Sequence, residues 1–208
     1  MSEVEKFIKD NGMLFNIFLW QINNHCVDAS GSYHDLRNVY TKRLDNTMFR
    51  EFVWTNLDNF LSDTAMLSKI LFPSTKKAFS KLRGNGLLNL LNLLPSQLPN
   101  LSKRSLRNRK EHLDEDLDKW WIEKKSNDNG RDNFAIKAID GLDDDVIYGP
   151  NVHLAFMYNP STGIVHHFDK DFDIHEIFEE VLLVASARKD SFERLNELAG
   201  EQIIRESR

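Results

Sequence analysis

From the N-terminus to about residue 125 the apolar positions recur at helical spacing, and after Gly130 they alternate. Phe7, Ile8, Leu14, Phe15, Phe18 and Ile22 fall on one broad face and predict a first helix, which Gly12 weakens slightly. "DASGS" (28–32) carries turn chemistry and reads as a loop. A second helical segment is expected from about Asp35 to Leu71, with Leu36, Val39, Leu44, Phe49, Phe52, Val53, Leu57, Phe60 and Ile70 among its apolar positions. Asp35 would cap its start beside His34, and Pro73 would end it. "KKAFSKLRGNG" is expected to break at Gly84–Gly86, and "GLLNLLNLLP" reads as a buried helix or turn. "LRNRKEHLDEDLDKWW" (106–121) opens a further helix that runs out near "KKSNDNG".

Beyond Gly130, "NFAIKAI" and "VHLAFMY" read as strands, and "IVHHF" as the partner of the latter across the turn "NPSTG". Residues 152–168 thus predict an antiparallel hairpin. Asp173, three residues before Glu176, marks the start of a long amphipathic helix whose Ile177, Val181, Leu182, Val184 and Ala185 can pack back on the earlier helices. The expected fold is mainly α: a helical bundle with a small antiparallel β-hairpin appendage before a long C-terminal helix. The divisions are 1–126, 127–172 and 173–208, within one domain overall. There is no repeat of 20–50 residues and no low-complexity linker.

With 208 residues, 41% of them hydrophobic and 28% charged, the chain has enough apolar material for a substantial core. Its formal net charge is −5, so any nucleic-acid contact must come from a local basic patch. One cysteine, Cys26, excludes a disulfide framework and a cysteine-based metal site. The acidic start "MSEVEKFIKDNG" lacks the layout of a signal peptide, and no run reaches the roughly 18 apolar residues of a membrane span. The expectation is a cytoplasmic protein without membrane association.

The stretch 106–121 changes sign at His112, basic before it and acidic after. At about 100° per residue, Leu106, Leu113, Leu117, Trp120 and Trp121 share a sector of roughly 100°, a core face. Arg104, Asn108, Glu111, His112 and Glu115 lie opposite, so His112 faces solvent or a partner chain. Arg107 and His112 are about 140° apart on one straight helix. Bringing both to one small group requires either a helix that starts near Arg107 or a second copy across a two-fold axis. An arginine fork grips phosphate and a histidine moves protons near neutral pH. Asn108 can orient a 2′-hydroxyl or phosphate, and Lys103, Arg104 and Arg109 add positive charge for an RNA backbone. These groups suffice for RNA cleavage without a metal or other cofactor. The same residues also form i,i+4 pairs (Arg107–Glu111, Lys110–Asp114, His112–Asp116), as an ordinary solvated helix does.

"RNRKEH" resembles the Arg-x4–6-His motif of the HEPN superfamily, in which a polar residue, often Asn, follows the arginine. The resemblance covers roughly residues 1–125, the helical part. It implies an α-helical bundle and a metal-independent endoribonuclease of a toxin–antitoxin or phage-defence system. RNA would be the substrate, the site would form at a homodimer interface, and a neutralising protein could act as partner. It implies Arg107 as the phosphate-binding residue, Asn108 as a supporting polar group and His112 as acid or base. The acidic run after His112 departs from a surface suited to long RNA. Some members of the superfamily do not cleave RNA, so the alternative is a helical protein-interaction or nucleotide-binding module.

Other chemistry-bearing residues have plainer readings. His166 and His167 are adjacent on a strand and point to opposite faces, and His153 reads as a half-buried strand residue. Asp143–Asp145 lacks the spacing of a calcium loop and reads as a solvated turn. "RGNG" is not a phosphate loop. Cys26 beside His25 is not a catalytic pair by adjacency alone. Trp120 and Trp121 read as packing residues.

Overall fold

The computed structural model describes residues 1–74, 77–103, 113–126, 133–143, 147, 152–168 and 170–199. The helices are α1 (Glu3–Asp10), α2 (Gly12–Arg37), α3 (Asn46–Leu71), α4 (Ala78–Leu91), α5 (Leu113–Ser126), α6 (Ile174–Ala187) and α7 (Ser191–Ala199). The strands β1 (Asn133–Ile139), β2 (Val152–Asn159), β3 (Ile164–His167) and β4 (Lys170–Asp173) lie between α5 and α6. The chain is mostly helical, with a small sheet before its last helices.

A capping box opens α1: the Glu5 amide donates to Ser2 Oγ at 3.2 Å and the Ser2 amide to Glu5 Oε2 at 2.6 Å. The central element is α2, which packs on α3, α6 and α7. Its "DASGS" segment is helical, contrary to the loop expectation. Ala29 is fully buried, Ser30 Oγ donates to the Cys26 carbonyl at 2.7 Å, and Gly31 faces open space. Core contact on one side outweighs the local preference for a turn. The expected helix from Asp35 to Leu71 is instead divided. Asp35 lies in the last turn of α2 and pairs with Lys42 at 2.8 Å rather than capping a start. A 3-10 turn (Val39–Lys42) and Arg43 in the left-handed region (φ 44°) redirect the chain. Asp45 then caps α3 by accepting from the Met48 amide at 2.9 Å.

The break expected at Gly84–Gly86 does not occur, because α4 runs through both glycines. A methyl at Gly84 would lie 2.7 Å from Pro73 Cδ, and one at Gly86 2.5 Å from the buried Phe15 ring. The glycines therefore let α4 approach the end of α3 and the side of α2 closely. Leu87, Leu88, Leu90 and Leu91 are buried in the main core, as the apolar run predicts. Asn92 (φ 54°) ends the helix, and Arg194 of α7 donates to the Leu90 carbonyl at 2.7 Å.

The sheet has the order β1-β2-β3-β4 and is mixed. The predicted hairpin is present as β2–β3, antiparallel. It is not an isolated hairpin, however, since β1 pairs with β2 in parallel and β4 extends the antiparallel side. Asp143 organises the turn after β1: Oδ2 accepts from the Ile139 amide at 2.8 Å, and Oδ1 pairs with Arg50 of α3. Asp143 is thus a buried structural anchor, not part of a solvated turn. Asp144 and Asp145 lie outside the described residues. Ile139, Tyr158, Val165 and Phe172 pair in one row across all four strands and join the main core. The adjacent row, Ala138, Met157, His166 and Asp171, faces the other way. Gly163 (φ 73°) closes the hairpin, and its missing side chain makes room for the His175 ring.

Asp173 caps α6, accepting from the His175 amide at 2.8 Å and the Glu176 amide at 3.2 Å. Ile177, Val181 and Val184 are buried, but Leu182 is exposed. The expected long C-terminal helix is interrupted: a 3-10 turn (Arg188–Asp190) separates α6 from α7. Ser191 Oγ takes up the Arg188 carbonyl at 2.7 Å there. No helix among the described residues is long and apolar enough to cross a membrane.

Candidate functional site

Arg104, Arg107, Asn108, Arg109 and His112 lie outside the described residues. Lys103, the remaining residue singled out for RNA contact, is exposed and donates to Asn100 Oδ1 at 2.8 Å. The chain leading to the motif is held firmly. Leu98 and Leu101 are fully buried, and the Ser102 amide donates to the Leu98 carbonyl at 3.0 Å. Glu180 of α6, only 6% exposed, supplies both carboxylate oxygens to this turn. Its Oε1 accepts from the Asn100 amide (2.8 Å) and Nδ2 (2.9 Å), and its Oε2 from the Leu101 amide at 2.8 Å.

The chain leaving the motif enters α5 at Leu113. Leu117 is partly buried and Trp120 is 7% exposed, in a small cluster with Ala155 and Phe156 flanked by Trp54 and Phe168. Trp121, expected on the core face, is instead 46% exposed. One residue further round the helix carries it past the sheet that covers Trp120.

Between α5 and the sheet lies a cleft of about 690 Å³. Asp116, Lys119, Trp120, Glu123 and Lys124 form its helical wall. Their spacing (i, i+3, i+4, i+7, i+8) is that of one helix face. His153, Leu154, Met157, His166, Phe168 and Lys170 contribute to the opposite wall. His153 and Met157 share a face of β2, and Met157 pairs in register with His166. His166 Nδ1 lies 2.7 Å from Asp171 Oδ1, its register partner on β4. Asp171 thereby holds the imidazole through one nitrogen, in a ring that lines the cleft. On the helical wall, Lys119 Nζ lies 3.9 Å from Asp116 and Lys124 Nζ 3.1 Å from Glu123. Three lysines outnumber two carboxylates here, in a chain whose net charge is −5.

The remaining candidates resolve into structural roles. His167 is buried and stacks edge-on against Phe156, while His166 is half-buried, which agrees with opposite faces. His25 Nδ1 pairs with Asp63 of α3 at 2.9 Å, away from the Cys26 sulfur. Cys26 is 3% exposed, its Sγ donates to the Val181 carbonyl, and burial pushes its thiol up to about 12. The nearby Arg188 charge opposes that shift without reversing it. A thiol so protonated is no nucleophile near neutral pH. Among the described residues no cluster of three or more His, Cys, Asp or Glu is placed to hold a metal ion.

The lysines and His166 of the cleft were not singled out from sequence as a binding group. The signal was present in two halves. One is the helical spacing of Asp116, Lys119 and Glu123, and the other is the shared parity of His153 and Met157. What joins them is the packing of α5 on β2, which no local pattern encodes. No protein-family model matches the chain, and neither a curated protein nor a solved structure does.

Proposed function

We propose that the protein is a HEPN-like, metal-independent endoribonuclease acting as a cytoplasmic homodimer, in toxin–antitoxin or phage defence, with a protein partner that neutralises it. The observation that carries this reading is the sequence Arg107-Asn108-x3-His112 between two firmly held points. One is the turn gripped by Glu180; the other is α5, packed on the sheet through Trp120. Arg107 binds the scissile phosphate with its paired N–H donors. His112 of one copy takes the proton of the 2′-hydroxyl, whose oxygen attacks the adjacent phosphorus. The P–O5′ bond breaks, and His112 of the second copy returns a proton to the departing 5′-oxygen. The products are a 2′,3′-cyclic phosphate and a 5′-hydroxyl, with no oxidant, reductant or water consumed. Asn108 orients the 2′-hydroxyl or a phosphate oxygen.

The test is cleavage of a panel of labelled structured and unstructured RNAs in excess EDTA. Arg107→Ala and His112→Ala should each abolish cleavage while circular dichroism and the thermal midpoint stay unchanged. Full cleavage by both variants overturns the reading, as does an absolute need for a divalent ion. Sedimentation at graded concentrations should show a dimer.

A further inference from the structure

The central helix α2 is apolar on two opposite sides. Phe15, Leu19, Ile22, Cys26, Ala29 and Leu36 form its buried row, against the rest of the bundle. Met13, Ile17, Trp20 and Val27 form a second row about half a turn round the helix. That row faces outward: Met13 and Val27 are 61% exposed, Ile17 51% and Trp20 39%. Asn24 and Gly31, also exposed, complete it, so its steps along the chain alternate between four and three residues. This alternation is the spacing of a seam along which one helix packs on another. The charge pattern agrees. An exposed helix face ordinarily carries charged residues. From Gly12 to Val27, 16 residues, there is no Asp, Glu, Lys or Arg, although 28% of the chain is charged. Phe192 and Arg188 flank the Trp20 ring, each 6.0 Å from it, yet leave the row exposed. Contiguous exposed apolar surface of a few hundred Å² marks a site of association.

We propose that α2 is a self-association helix, and that two copies of the chain pair along Met13–Gly31 in an antiparallel contact about a two-fold axis level with Ile22. The row is complementary to itself in that orientation. Trp20 of one copy meets Asn24 of the other, Ile17 meets Val27, and Met13 meets Gly31. Every layer sets a larger side chain against a smaller one, which is how facing positions interdigitate. In the central layer the Asn24 side-chain carbonyl can accept from the Trp20 indole N–H, and a polar residue within an apolar seam fixes its register. A parallel pair would set Trp20 on Trp20 and Gly31 on Gly31, a bulge beside a void. A lipid surface would call for Lys and Arg along the polar flanks, and none lies between Gly12 and Val27. The contact goes beyond the ribonuclease reading, which joins copies at Arg107 and His112, and it does not depend on that reading.

The experiment is sedimentation of the full-length chain and of Val27→Glu, from about 1 to 100 μM. Val27 is exposed, so the variant should keep the wild-type circular dichroism spectrum. Its dissociation constant should rise at least about thirtyfold, as when one central interface side chain is lost. A wild-type dimer that becomes a monomer supports the α2 contact and removes the one at the motif. A tetramer that becomes a dimer supports both. A dimer that Val27→Glu leaves intact overturns the α2 proposal and leaves the motif contact standing. A wild-type chain that stays monomeric throughout overturns both. Disulfide linking then tests the orientation with near-native chains. Ile17→Cys and Val27→Cys chains, mixed and oxidised, should link to each other, while Cys26 is buried away from the seam. Neither variant should link to itself, because like positions lie about 15 Å apart along the helices, beyond the roughly 7 Å a disulfide spans. Self-linking of Ile17→Cys as fast as the mixture overturns the antiparallel pairing.

Discussion

Replacing Glu180 by alanine removes the acceptor for three hydrogen bonds, from the Asn100 amide, Asn100 Nδ2 and the Leu101 amide, at 2.8–2.9 Å. These losses are unequal. Asn100 is half-buried, so water can replace the carboxylate at its two donors. Leu101 is fully buried, and its amide would lose its acceptor in an apolar setting, which costs about 1–3 kcal/mol. The bonds to a charged acceptor exceed those to water by about a further 1 kcal/mol together, so Glu180→Ala should destabilise by about 2–4 kcal/mol. Glu180→Gln keeps one oxygen but turns an NH2 toward a backbone N–H. It should cost nearly as much despite its matching shape. Urea denaturation measures the loss, and amide hydrogen exchange locates it: the Leu101 amide should lose protection well beyond the global change. A Glu180→Ala variant within about 0.5 kcal/mol of wild type would refute the assignment of Glu180 as the anchor of the turn before the motif. So would a Gln variant that is fully stable.

Two further tests probe the helical bundle and its core. Gly31→Ala, in α2 with nothing within 4 Å, should stabilise by about 0.4–1 kcal/mol, whereas Gly86→Ala, whose methyl would meet the Phe15 ring at 2.5 Å, should destabilise by about 1–3 kcal/mol. Thermal midpoints of the pair decide this, and shifts of the same sign would contradict the packing of α4 on α2. Burial pushes the Cys26 thiol and the Tyr158 phenol up to about 12 each. The unfolded chain ionises these groups near their ordinary values of about 8.5 and 10. The native state, keeping them neutral, is therefore favoured fully below about pH 8.5 and loses stability as pH rises toward 12. Denaturation midpoints should fall over that window and fall less in Cys26→Ser, and Cys26 should resist thiol reagents in the native protein but react after unfolding.

How much of this was legible in the sequence depended on range. The helical part, the strand pair β2–β3, the Asp173 cap and the buried leucine run all follow from patterns within about twenty residues, and each is present. Two of the misreadings share one cause. "DASGS" and Gly84–Gly86 have loop-like composition, yet Ala29 lies in the core and Gly86 lies under Phe15, so contacts made far away in sequence keep both segments helical. In the opposite direction, the apolar period across Val39–Leu44 suggested continuity where Arg43 and the Asp45 cap impose a turn. The parallel partner of β2 was hidden for the same reason, since the Asp143 side chain that shapes the turn after β1 depends on Arg50.

The candidate site was legible in a different way. The arginine and histidine of the motif stand out as chemistry, but nothing local reveals what holds the turn that precedes them. The clamp on the preceding turn comes from Glu180, about eighty positions later, and the carbonyl end of α4 is met by Arg194 of α7. Polar side chains of the C-terminal helices thus complete backbone hydrogen bonding in the first half of the chain. That coupling gives the last two helices a role beyond covering apolar surface. Truncating them would leave the buried Leu101 amide without its carboxylate acceptor and would loosen the turn over Leu98–Ser102.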